Sequence, residues 1–504
     1  MRLRDRLWNP YAVVFLSNAC IMVLELVASR IIAPRLGVSL YTWTSVIGVI
    51  LAGISIGNYL GGRLADRYAS PFFLGLILAL ASLGSLSILA LTNALSGVGL
   101  SDRLPLLLSV VVYIAGLFLL PSLILGCVSP IVVKLSLTDL HRSGTTVGKI
   151  YAWSSIGSIV GTFATGFWLI SWFGTRTVVL LVAGVLMLMA IWFLTDGRRV
   201  RAATTAAVAL VLFGGSVGLL YSGGNLSREC LLETNYFCIK VHDKEMGDTA
   251  VRELVLDRLV HSYSNLEDPT HLVYGYERTY AEVIRPMLSH RPDLSALFIG
   301  GGGYTFPRYL EALAPDSRLV VAEIDPAVTE VAHELLGLSR ETRITTHSLD
   351  ARILLATNDV GDGFDIVFGD AFSDYSVPYH LTTLEFDRLV SDLLRDDGVY
   401  LANVIDGGRH GHFLRAYVQT LRQAFAHVAV IPSTSAWRDS PRTTFVIVAS
   451  KQAIDLSHLP ATEQPVPPEE LDAYLAEEEP IILTDEYVPV DNLLAPVYRD
   501  SHGS

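Results

Sequence analysis

The chain has 504 residues, 51% of them hydrophobic, and a mean hydropathy of +0.44. That is too apolar for an ordinary soluble enzyme, and a membrane portion is expected. Residues 1–221 carry 15 Lys and Arg against 6 Asp and Glu, and the remainder carries 22 against 44. An acidic second part repels phosphates, which excludes nucleic acid as its partner; the charge suits a polycationic substrate, or simply keeps a domain soluble.

A short basic start, Met1 to Arg6, precedes seven apolar runs of about bilayer-crossing length: residues 11–33, 41–62, 72–95, 105–135, 149–173, 176–195 and 203–221. The lipid bilayer is thus an expected partner of a transmembrane domain over 1–221. The first run is too long, and too closely followed by others, for a cleaved signal peptide. The fourth holds Pro121, Gly126 and Pro130 and is expected to be broken or re-entrant. Glu25 and Arg30, in or near the end of the first run, are a functional pair, an ion pair five residues apart, or snorkelling groups. Gly157, Gly161 and Gly166 are spaced for close helix packing. Gly61-Gly62-Arg63-Leu64-Ala65-Asp66-Arg67 resembles the loop between the second and third helices of major-facilitator transporters, but so short a motif reads first as a tight, positive cytoplasmic turn.

Basic residues gather in alternate loops: Arg2, Arg4 and Arg6; Arg63 and Arg67; Lys134, Arg142 and Lys149; Arg198, Arg199 and Arg201. This puts the amino terminus in the cytoplasm. Seven spans of the inner cell membrane then leave the acidic part outside, in the periplasm of a Gram-negative cell. Cys20 and Cys127 lie in apolar runs. Cys230 and Cys238 flank a seven-residue stretch, lack metal-ligand spacing, and can bridge in an oxidising compartment. No metal is expected.

Ser222-Gly223-Gly224-Asn225 reads as a flexible exit into a β-hairpin subdomain, residues 222–285, with a turn at Gly247-Asp248. Tyr274-Gly275-Tyr276-Glu277-Arg278-Thr279-Tyr280 offers aromatic and acidic groups to an alkylamine, or is a helix start with surface tyrosines. Residues 286–450 alternate strands with helices, as in a Rossmann-like sheet. Leu297-Phe298-Ile299 runs into Gly300-Gly301-Gly302-Gly303, and Leu319-Val320-Val321-Ala322 ends in Glu323-Ile324-Asp325. Asp350 and Asp370 also follow strand-like runs. Glycines permit a tight turn and close approach to a ligand, and acidic strand ends suit ribose hydroxyls, so a nucleoside-type ligand is expected. Residues 451–504 form a Pro- and Glu-rich tail that packs back on the domain.

The glycine turn, Glu323-Ile324-Asp325, Asp350-Ala351 and the loop after Asp370 resemble the spermidine/spermine synthases, the polyamine aminopropyltransferases. Tyr379-His380-Leu381-Thr382-Thr383-Leu384-Glu385-Phe386 resembles their membrane-fused branch, with its multi-pass amino-terminal domain. The resemblance implies a domain of the S-adenosylmethionine methyltransferase type, a polyamine substrate such as putrescine, and decarboxylated S-adenosylmethionine (or S-adenosylmethionine) as co-substrate. It implies a homodimer as well. Gly300, Gly301 and Gly302 would face the methionine-derived part, Glu323 and Asp325 the ribose, and Asp350 the adenine amino group. Asp370 would be the catalytic carboxylate, and Asp374 would bind the far ammonium. Asp257 and His261 would line the amine site with Tyr276. His261 stands where the family usually has Gln, and the Asp of the family's Gly-Gly-Gly-Asp-Gly turn is missing. A methyltransferase and a non-catalytic polyamine- or nucleoside-sensing membrane protein remain alternatives.

Overall fold

The structure, a computed structural model, describes residues 9–500 apart from 38, 97–105, 138–139, 196–198, 228, 248 and 372–376. Asp374 lies outside the described residues, as does Asp248 of the expected turn. The chain divides into two compact units, 1–235 and 236–504.

The first unit holds helices α1 (Pro10–Leu36), α2 (Leu40–Tyr68), α3 (Pro71–Ser96), α4 (Leu106–Gly126), α5 (Val128–Ser136), α6 (Ser143–Ala164), α7 (Ile170–Phe173), α8 (Thr175–Leu194) and α9 (Arg199–Ser222), then the two-residue strand β1 (Leu232–Glu233). Asn9 caps α1, its Oδ1 accepting from the Tyr11 and Ala12 amides, with Pro10 at the first helical position. Among the described residues, six helical stretches are long and apolar enough to cross a membrane. The seventh expected run falls in α9, whose described apolar part, Ala207–Ser222, is shorter. The fourth run is broken at Cys127, between α4 and α5.

Small residues set the helix crossings. Gly157 and Gly161 of α6 bring it onto α1: a Cβ at Gly157 would stand 2.1 Å from the Phe15 carbonyl oxygen, and one at Gly161 2.6 Å from that of Ala19. Gly57 of α2 packs likewise on α4, 2.1 Å from the Leu123 carbonyl oxygen. Gly166 does not share this role. It sits in a π-turn, Thr165–Leu169, with open space around it. Residues 222–235 stay with the helices beyond the expected boundary at 221 because polar groups tie them there. Glu229 pairs with Arg35 (2.5 Å) and Arg176 (3.0 Å), Asn225 bonds Asn93, and Glu233 accepts from the Thr175 amide at the start of α8. Arg30 donates to the Thr234 carbonyl.

In the second unit β2 (Cys238–Met246), β3 (Thr249–Leu256) and β4 (Leu259–Ser264) form antiparallel hairpins. Helix α10 (Gly275–His290) straddles the expected boundary at 285. Next come β5 (Ser295–Ile299), α11 (Thr305–Leu313), β6 (Arg318–Ala322), α12 (Pro326–Leu335), β7 (Thr345–His347), α13 (Ala351–Thr357) and β8 (Phe364–Gly369). The unit ends with α14 (Leu384–Leu393), β9 (Leu394–Asp406), α15 (His412–Ala424), β10 (His427–Pro432), β11 (Thr443–Ser450), α16 (Pro468–Leu475) and α17 (Val490–Asp500). The seven-stranded sheet runs β10-β11-β9-β8-β5-β6-β7, with β11 antiparallel to both neighbours and the strands from β9 to β7 parallel.

All five residues of β5 are buried, as expected of a parallel strand covered on both faces. One apolar cluster gathers α10, α11 and α12, and the other α13, α14, α15 and the tail through Leu471, Tyr474, Leu483 and Leu494. The chain leaves β5 toward β6 and returns to its other side as β8. This is a topological switch, and the crevice it opens lies at the carboxyl ends of β5 and β8.

Two glycines of α6 separate packing from mere presence in an apolar helix. Gly157→Val should cost about 3 kcal/mol or prevent folding, because carbonyl backbone cannot yield. Gly148→Val, with nothing within 4 Å, should leave the thermal midpoint of the detergent-purified protein unchanged.

Candidate active site

A cavity of about 200 Å³ occupies this crevice, walled by the carboxyl ends of β5, β6 and β8, by β4 and by the start of α10. Gly300, at φ +98°, turns the chain out of β5; a Cβ there would stand 2.6 Å from the Asp370 carbonyl oxygen, so the two strand ends meet through a bare backbone. The Gly301 and Gly302 amides donate to Glu323 Oε2 (2.8 and 3.3 Å), and the Asp325 amide donates to Oε1 (3.0 Å). Burial pushes the Glu323 carboxyl up while these three amides hold it down. At Gly303, the position of the missing Asp, a Cβ would fall 1.8 Å from Ser262 Oγ of β4. The neighbouring hairpin already fills the space an aspartate would need.

Asp325 is not on the cavity wall. It is buried as the N-cap of α12, its Oδ1 accepting from the Ala327 amide. Asp257 is also elsewhere. At φ +53° it forms the two-residue turn between β3 and β4, and its Oδ1 accepts from the Cys238 amide. Asp350 does reach the cavity. Its Oδ1 caps α13 through the Arg352 and Ile353 amides, and its Oδ2 meets His380 Nε2 at 2.8 Å. His261 lines the cavity too, with Nδ1 bonded to the Leu259 carbonyl.

Asp370, just past β8, is the focus. Tyr276 donates its hydroxyl to Oδ2 (2.8 Å), and Asn403 of β9 donates Nδ2 to Oδ1 (2.9 Å). Desolvation at the cavity floor pushes the carboxyl up to about 6, against these two hydrogen bonds. Beside it, Glu277 at the start of α10 is 3% exposed and its Oε2 has no hydrogen-bond partner among the described residues. Burial first, then the Asp370 charge, drive its carboxyl well above the ordinary range. One carboxyl is thus poised to ionise near neutrality while its neighbour stays protonated, an arrangement suited to proton transfer. Tyr276, Tyr280 and Phe368 form an aromatic wall, with ring centroids 5.5 and 5.3 Å apart.

The structure therefore brings together Gly300, Gly301, Gly302, Glu323, Asp350, His261, Tyr276 and Asp370. It sets Glu277, the acid of the 274–280 stretch, beside Asp370, and adds His380 and Asn403 as site groups. Asn403 had a signal in the sequence, as the one amide inside the apolar run Val399–Val404, and Glu277 adjoins Tyr276. Among the described residues no cluster of His, Cys, Asp and Glu is arranged to hold a metal.

No protein-family model matches the chain. A polyamine aminopropyltransferase of Vibrio vulnificus is 34% identical over 108 residues, 21% of this chain and 36% of that protein. One of Corynebacterium efficiens is 25% identical over 382 residues, 72% of this chain and 70% of that protein. An eEF1A lysine and N-terminal methyltransferase of Xenopus laevis is 27% identical over 179 residues, 33% of this chain and 25% of that protein. The first match spans little over a third of its relative, whereas the second runs through most of both chains. By these matches the chain is similar to polyamine aminopropyltransferases, over 72% of its length in the Corynebacterium efficiens case.

Proposed function

We propose that the protein is a membrane-bound aminopropyltransferase, moving an aminopropyl group from decarboxylated S-adenosylmethionine to a polyamine such as putrescine and releasing methylthioadenosine. The observation that carries the reading is Asp370, held by Tyr276 and Asn403 beneath a glycine-rich turn and an acidic strand end. In the transfer a carbon–sulfonium bond breaks and a carbon–nitrogen bond forms. The attacking nitrogen must be neutral, and an ionised Asp370 can orient it and accept its proton. Glu323 and Asp350 are the groups for the nucleoside, and the aromatic wall suits an alkylammonium. Asp374 keeps its proposed role at the far ammonium, and a homodimer belongs to the same proposal.

An S-adenosylmethionine-dependent methyltransferase is the second reading. It is favoured by the matching lysine and N-terminal methyltransferase and by the absence of the turn's aspartate, where Gly303 packs on Ser262.

An extracytoplasmic face for residues 236–504 is part of the proposal. It is supported by the alternation of basic loops and by the cysteines: Cys20 and Cys127 are free, while Cys230 and Cys238 are disulfide-bonded. Whether α9 counts as a seventh span decides the side. The cytosolic synthesis of S-adenosyl compounds argues the other way.

Product analysis by mass spectrometry separates the two chemistries. Incubation with decarboxylated S-adenosylmethionine and putrescine should give an aminopropylated amine and methylthioadenosine, and Asp370→Asn should lower kcat by about 10²–10⁴-fold. A methylated acceptor with S-adenosylmethionine, and no aminopropylation, would favour the second reading. For the aminopropyltransferase, kcat should be flat above about pH 6 and fall tenfold per unit below it, as the base is protonated. Tyr276→Phe removes a bond to the ionised form and should move that limb to higher pH. For orientation, intact cells treated with an impermeant reductant and then an impermeant maleimide should label Cys230 and Cys238; labelling only after the membrane is opened would put the unit inside.

A further inference from the structure

A second and smaller cavity of about 20 Å³ is lined by Gly369 and Ala371, the two chain neighbours of Asp370. The two share Ile299, Ala371, Leu381 and Asn403 as walls, so Asn403 stands between them. Its Nδ2 serves Asp370, and its buried Oδ1 has no hydrogen-bond partner among the described residues. Tyr400 and Tyr417 line the second cavity, their hydroxyls 3.1 Å apart. The Tyr400 hydroxyl lies under Gly369, where a Cβ would be 2.4 Å from it.

Asp387 of α14 adjoins Phe386, another wall residue. It is 0% exposed, and neither of its carboxyl oxygens meets a donor in hydrogen-bond geometry among the described residues. The titratable groups that act on it are Tyr417 of α15, Tyr400 of β9 and Glu385 on its own helix; none is a cation. A carboxylate buried without a cation is far costlier than a neutral acid, so Asp387 keeps its proton. A protonated carboxyl both donates and accepts.

We infer that Asp387 is a neutral buried acid that positions Asp370 through the Tyr417 and Tyr400 hydroxyls and a water in the second cavity, which together hold the Asn403 amide. About 10–15 Å³ suffices for one water if polar partners surround it, and Asn403 Oδ1 with the two hydroxyls supplies them. Asn403 in turn presents Nδ2 to Asp370, so the chain fixes the orientation and the ionisation of that carboxylate. The effect on turnover rests on Asp370 being the base; the protonation of Asp387 does not.

Three variants of the full, detergent-purified chain test it. Asp387→Asn keeps a neutral donor and acceptor, and should hold kcat and its acid limb within about twofold of the parent. Asp387→Leu should lower kcat by about 10- to 100-fold with KM little changed. It should also shift the acid limb to higher pH, because an unheld Asn403 no longer favours the ionised Asp370. Tyr417→Phe, which conserves the fold if Asp387→Leu does not, should shift the limb the same way. An infrared difference spectrum of parent against Asp387→Asn reads the acid directly: a protonated carboxyl C=O band should vanish at pH 8. That measurement stands even if no aminopropyl transfer is found. Loss of an ionised carboxylate band instead, or an Asp387→Asn variant as impaired as Asp387→Leu, would overturn the inference. So would parent-like pH profiles in both Asp387→Leu and Tyr417→Phe.

Discussion

Carboxyl groups buried without cations organise the second unit. No Arg or Lys contributes to the ionisation of Asp370, Glu323 or Asp387. Each is handled differently. Glu323 takes three backbone amides, Asp370 takes a phenol and an amide, and Asp387 meets no donor in hydrogen-bond geometry among the described residues. The number of donors tracks the charge each can bear, because hydrogen bonds to the ionised form offset desolvation. Arginine is used elsewhere, away from the cavity. Arg291 and Arg395 hold Asp365 at the opposite end of β8, and Arg415 is spent on Glu477 and the Tyr474 ring. Among the described residues no Arg or Lys lines the cavity, so a cationic ligand can supply countercharge to its acids. For the proposed reaction both partners, a sulfonium and an ammonium, are cations.

Much of this was legible in the sequence, for a physical reason. A parallel sheet buries whole strands, so β5, β6 and β8 stand out as apolar runs, and the residues that end them must lie at one edge. Glycine at 300 and acids at 323, 350 and 370 therefore fell into one cavity. Two other acids did not, and each carried a local signal of backbone duty. Asp325 precedes Pro326, the signature of an N-cap, and Asp257-Arg258 joins two alternating runs as a tight hairpin turn. Residue type in a motif does not separate an acid aimed at a ligand from one aimed at a helix start. His380 and Asp387 were harder, because their roles follow from what the folded chain packs against them. The orphaned oxygens of Asp387 exist only once α14 lies on β9 and α15.

In the first unit hydropathy reports length and little else. It located all the apolar runs, yet the broken fourth run and the marginal α9 turn on backbone details that hydropathy averages away. Helix pairing is similar. Gly157, Gly161 and Gly166 look alike in sequence, but only the first two meet another backbone, since the third has rotated into a π-turn.

Gly303 shows why a departure from a family pattern need not be a loss of function. An aspartate side chain at this position would have to occupy the place of Ser262 Oγ, so the change in the turn and the packing of the hairpin are one event. The glycine amides at 301 and 302, which hold Glu323, are unaffected by it. In the proposed reaction the consequence falls on the far end of the donor, where the Ser262 hydroxyl of β4 and the backbone of the turn stand in place of a carboxylate. Any ammonium there must find its countercharge in Asp370 or in a deprotonated Glu277. Ionising Glu277 beside Asp370 is opposed by burial and by the neighbouring charge, and a bound cation would relieve both. If the proposed donor binds here, its binding and the ionisation of this carboxyl pair are one linked equilibrium.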